Sequence, residues 1–213
     1  MLSLSPDFLI SAIITLLVSL TIHEFSHAWV ASRLGDDTPR RYGRLTLNPM
    51  AHLDPIGSLM LVIAGFGWAK PVPVDMYSLR RASKAGPMLV SLAGPFSNFL
   101  LAFLAAVPLR LNLVPLQIQS TNILPTPYTF LIYFLTLNLG LMLFNLLPIP
   151  PLDGNEILRY FLPPQWAAAW DNLRPYGMYI LFALLMLGPL VGFSLVQTVL
   201  SPLIRTLQNL LLG

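Results

Sequence analysis

His23, Glu24 and His27 stand in the order H-E-F-S-H inside the first apolar stretch of the chain, a spacing suited to metal chemistry. Residues four apart on an α-helix share a face and lie about 6 Å apart along its axis, near enough to bind one ion. Glu24 falls roughly 100° round from His23, beside such an ion rather than on it. Two imidazoles on Zn²⁺ with a neighbouring carboxylate to take a proton from water is a zinc-hydrolase arrangement. Ionisable side chains at membrane depth cost about 3 kcal/mol or more each, so their presence there points to function. A proton relay would draw on the same residue types, which makes a metal-ion or proton transporter the alternative reading.

Catalytic zinc needs a third protein ligand and an open position. The chain has no cysteine, so that ligand must be histidine or carboxylate. The candidates are His52, Asp54 and Asp153. His52 and Asp54 lie 25 and 27 residues beyond His27, a separation that some soluble zinc peptidases use. Both also suit ordinary turn positions. Asp153 follows Pro148, Pro150 and Pro151, which break a helix and free backbone carbonyls. It could equally cap a helix over residues 155 to 162.

Hydrophobic residues make up 55% of the 213-residue chain and charged ones 10%, with a mean hydropathy of +0.70. Soluble domains run near 25% charged, so this composition describes a polytopic membrane protein. The expected fold class is all-α with about four to six transmembrane helices and a short re-entrant or β-hairpin segment after the first. One domain over 1–213 accounts for the pattern. The first apolar stretch lacks a basic leader and runs past signal-peptide length, so it is expected to remain as a span. Spans are expected over 8–34, 87–109 and 128–147. The P-x-P-P-L-D-G region covers 148–160, and one or two C-terminal spans lie in 176–212, broken at Gly188-Pro189.

Between the first two spans, residues 35–70 are turn-rich, and Tyr42 to Leu47 alternate in the manner of a strand or hairpin edge. Residues 56–68 are apolar but number only 13, about 20 Å of helix against a roughly 30 Å hydrocarbon core. A segment that dips in and returns fits that length. Lys70 to Lys84 reads as a polar loop.

Eight of the twelve Lys and Arg residues lie between Arg33 and Lys84. The positive-inside rule then puts the N-terminus outside the cytoplasm and the motif about 9 Å inside the cytoplasmic end of its helix. The net charge of +3 reflects this asymmetry and gives no reason to expect nucleic-acid binding.

H-E-F-S-H in the first span, A-G-P-F-S-N in a middle span and N-L-L-P-I-P-P-L-D-G after a later one resemble the site-2 protease family of intramembrane zinc metalloproteases. L-N-P-M-A-H-L-D-P-I-G and F-G-W-A-K-P-V-P-V are similar to its compact bacterial branch. The likeness spans roughly residues 20 to 160. It implies one catalytic Zn²⁺ held by His23, His27 and Asp153, with Glu24 as general base. Asn145 would contact the oxyanion or the substrate backbone, although it could instead bond carbonyls freed at the helix break. The implied substrate is a transmembrane protein cut within the bilayer of a bacterial plasma membrane. Two positions depart from the family pattern: Asn155, where Gly is usual, and Asp75, where Asn is usual. With no PDZ or CBS module in the chain, control is expected from partners or from the substrate.

Overall fold

The computed structural model describes residues 5–57, 68–117 and 123–213. Helix α1 (Pro6–Arg33) has 28 residues, about 42 Å by the helical rise. Pro6 occupies its first turn, where a missing N–H leaves no bond unmade. The short α2 (Thr38–Arg41) follows, then α3 (Met76–Ala82). The buried Asp36 joins them: one carboxylate oxygen accepts from the Thr38 N–H at 2.9 Å and the other from the Asp75 N–H at 2.7 Å.

Helices α4 (Gly86–Arg110) and α5 (Pro127–Asn145) complete a set of three that are long and apolar enough to cross a membrane. Beyond them lie α6 (Gly154–Phe161), α7 (Pro164–Asp171), α8 (Gly177–Met186) and α9 (Ser201–Leu212).

The bundle sorts its residues in the manner of a protein solvated by lipid. Inward positions on α1 are Ser11, Thr15, Ser19, His23 and His27, while Ile13, Phe96, Phe103 and Leu104 face out. The buried face of α4 includes Gly94, Asn98, Ala102, Ala105 and Ala106. Small residues there let neighbouring backbones approach, the main source of helix association when lipid and side chain are equally apolar. The three alanines pack on Leu135, Leu139 and Met142 of α5, with Ile204, Leu207 and Leu211 of α9 closing the cluster.

The expected spans coincide with α1, α4 and α5. The C-terminal region divides at Gly188, as the Gly-Pro pair suggests, into α8, a 3-10 turn, a π-helical run (Leu195–Leu200) and α9. Each piece is shorter than a span, so the described residues hold three helices of spanning length where four to six were expected.

Two local readings are corrected. Tyr42 to Leu47 form no strand: Gly43 has a φ of +67°, and the buried Arg44 turns its guanidinium to the carbonyls of Ala51 and Pro71. Period-two alternation in this stretch reflects a loop built around one buried cation. Lys70 to Lys84 is not all loop, because Asp75 caps α3 by accepting from the Tyr77 N–H at 2.9 Å. Most of the expected re-entrant segment, residues 58–67, lies outside the described residues. Its flanks meet, however, with Leu53 and Ala69 forming an antiparallel bridge and the Lys70 N–H donating to the His52 carbonyl at 2.8 Å.

Candidate metal centre

One turn of α1 separates His23 from His27, and both rings are buried on the helix face that meets α4. Their Nε2 atoms lie 3.0 Å apart. Asp153 brings its carboxylate to the same point, 3.2 Å from Nε2 of His23 and 3.4 Å from Nε2 of His27. These three side chains form the cluster of metal-ligand type found among the described residues. Asp153 occupies the position preceding α6, yet its side chain makes no cap bond. Its oxygens face the imidazoles instead.

The start of α6 reaches this depth because Gly154 packs directly on the carbonyls of Leu146 and Leu147, where any Cβ would overlap them. A polar clamp then holds α6. Glu156, buried, pairs with Arg174; Arg159 forms a forked bond to Asp171 at 2.7 and 2.8 Å; and the Trp170 indole donates to Asn155 at 2.8 Å. The Arg159 guanidinium holds the Asp171 carboxyl below its ordinary range. Asn155, one of the two departures from the family pattern, therefore ties α6 to α7.

The donor set fits a divalent cation. Nδ1 of His27 lies 2.7 Å from the Val90 carbonyl, which can only accept, so in the neutral ring the proton is on Nδ1 and Nε2 carries a lone pair. His23 presents Nδ1 to Asn98 Oδ1 at 2.6 Å. Two bare nitrogens and a carboxylate oxygen without a hydrogen-bond partner therefore converge in a buried space, an arrangement that repels itself without a cation. Ligand atoms around tetrahedral zinc lie about 3.3 Å apart, and the spacings here match. Gly94 leaves the room: a Cβ at that position would overlap Nε2 of both histidines.

Other candidates sit elsewhere. His52 is buried but turns Nε2 to the Thr46 carbonyl at 2.8 Å, and Asp54 accepts from the Gly57 N–H at 2.7 Å. Both organise the loop before residue 58. Glu24 is buried on α1 beside His23. Asn145 donates its Nδ2 to the Leu141 carbonyl at 3.0 Å, inside its own helix. The sequence analysis gave no role to Asn138, a buried amide in the apolar α5, or to Gly94 beneath the two rings.

The profile of peptidase family M50 matches residues 114–188. The chain is 44% identical to the Bacillus subtilis protein named "Putative zinc metalloprotease YwhC", over 86% of this chain and 83% of that one. It is 36% identical to "Putative zinc metalloprotease Rip2" of Mycobacterium tuberculosis, over 83% of this chain and 67% of that one. "Zinc metalloprotease MJ0392" of Methanocaldococcus jannaschii is 28% identical over 72% of this chain and 34% of its own length. No solved structure matches. With a cluster suited to zinc among apolar helices, and relatives of this similarity along most of its length, the chain belongs to the zinc metalloproteases of peptidase family M50, the site-2 protease family.

Proposed function

We propose that this enzyme hydrolyses peptide bonds in or near the transmembrane segments of membrane proteins, with His23, His27 and Asp153 holding the zinc and Glu24 as the base. One observation carries the reading: a carboxylate from beyond the proline-broken end of α5 lies within 3.4 Å of two imidazoles from α1. Zinc bound among these groups supplies polarisation of a peptide carbonyl and a lowered pKa for water, towards about 7.

The remaining work falls to side chains of the chain. Glu24 accepts the proton of the attacking water and returns it to the leaving amine. Asn145 steadies the substrate backbone or the oxyanion once its Nδ2 exchanges the Leu141 carbonyl for the substrate. A helical substrate must unwind first, since its carbonyls are engaged in i to i−4 bonds. The distribution of Lys and Arg supports a cytoplasmic opening and an extracytoplasmic N-terminus, and the likeness to the bacterial relatives supports residence in a bacterial plasma membrane.

The test is cleavage of a membrane-spanning reporter in proteoliposomes. Glu24→Gln should retain zinc and fold but lose cleavage. Full activity in that variant would remove the base assignment.

A further inference from the structure

His23 is held through two further side chains on two other helices. Asn98 of α4 and Asn138 of α5 are both fully buried. The Asn98 Nδ2 lies 3.0 Å from Asn138 Oδ1, and the Asn138 Nδ2 lies 2.9 Å from the Phe134 carbonyl. A backbone carbonyl can only accept, so the Asn138 amide must point its nitrogen at Phe134 and its oxygen at Asn98. Asn98 must then offer nitrogen to Asn138 and oxygen to His23. An oxygen facing Nδ1 at 2.6 Å requires the ring proton there, which leaves Nε2 bare. Each bond in this line takes its direction from the one before, starting at Phe134.

An asparagine amide is nearly symmetric in shape, and turning it by 180° exchanges donor for acceptor. Asn98 alone could face His23 either way. Turned round, it would donate to Nδ1 and put the ring proton on Nε2, where it would block coordination. We propose that Asn138 is a positioning residue that prevents this turn, and so sets the tautomer of His23 and the zinc affinity from a helix that supplies no ligand. The proposal rests on His23, His27 and Asp153 being the ligands, and the mutational scheme separates the two assignments.

Zinc dissociation constants would be measured by chelator competition on the full chain in detergent. Wild type should bind one zinc and Asp153→Ala should lose it; failure of either overturns the ligand set and the proposal with it. Asn138→Leu should weaken binding about 10- to 100-fold, the usual cost of losing an outer partner of a ligating histidine. The double variant Asn98→Asp, Asn138→Leu should recover to within about threefold of Asn98→Asp alone, because a carboxylate has no donor face to turn. A purely structural role for Asn138 predicts no such recovery.

In the neutral ring of the zinc-free protein, nitrogen NMR should place the His23 proton on Nδ1 in wild type and on Nε2 in Asn138→Leu. Wild-type affinity in a folded Asn138→Leu, a double variant as weak as the single, or an unchanged tautomer would each overturn the proposal. Should Asn138→Leu not fold, the Asn98 pair decides: Asn98→Asp should keep near wild-type affinity and Asn98→Leu should bind zinc about 10- to 100-fold more weakly. Equal affinities in those two would overturn it.

Discussion

The two halves of the candidate metal centre are held by different means. His23 and His27 ride on the middle of a 28-residue helix, where the backbone period alone puts them on one face. Asp153 stands at the head of an eight-residue helix that begins just past a proline break and could not persist alone. It owes its position to Gly154 packed on the end of α5 and to the clamp linking α6 with α7 and Arg174. The histidine half is therefore stiff by local structure, and the aspartate half by tertiary contacts. Disturbing each half separately should give different signatures.

The largest effect is expected from Gly94→Ala, which attacks the histidine half without touching α6. The new methyl group would overlap Nε2 of both rings, and the α4 backbone beneath them cannot retreat far in a packed bundle. Zinc affinity should fall more than about 100-fold, beyond the usual cost of an outer partner. Chelator competition checks the affinity and circular dichroism the helix content. Wild-type affinity would show that the rings move freely, contrary to the stiffness assigned to α1.

Arg174→Met attacks the aspartate half. It leaves the buried Glu156 without its ion pair and should cost about 2–3 kcal/mol of stability, reduced from the fully buried case because Arg174 is partly exposed. Zinc affinity should fall together with stability, since α6 carries Asp153. Denaturant unfolding with parallel zinc titration measures both, and a stability loss without any loss of zinc would separate the clamp from the site.

Asp75→Ala is the contrasting case. It removes the cap of α3 and should cost about 1 kcal/mol while leaving zinc affinity unchanged, because α3 holds no ligand. The same two measurements check it.

The smallest effect is on the pH profile. The Arg159 fork lowers the Asp171 carboxyl in the folded protein, so the stabilisation is complete above the ordinary carboxylate value of about 3.9. It is lost as pH falls below that value and through the folded one. Between pH 7 and about 5, Asp171→Asn should therefore differ from wild type by a constant amount, and the gap should close only in stronger acid. A gap that closed near neutrality would assign it to another group. Acid unfolding curves of the two proteins decide this.

The local parts of this molecule were legible in the residues. The pairing of His23 with His27, the placing of Glu24 beside them and the three long spans all follow from helical period and apolar run length, which involve neighbours within a few positions. The break at Gly188-Pro189 was legible for the same reason. The hairpin expected over Tyr42 to Leu47 was not, because a single buried arginine with two distant carbonyl partners outweighed the local alternation.

That Asp153, rather than His52 or Asp54, meets the two histidines depends on contacts across more than a hundred residues, as does the line from Asn138 through Asn98 to His23. Spacing along a chain says which side chains can share a helix face. Which helices then press together, and which buried donor meets which acceptor, depends on packing that no segment contains within itself.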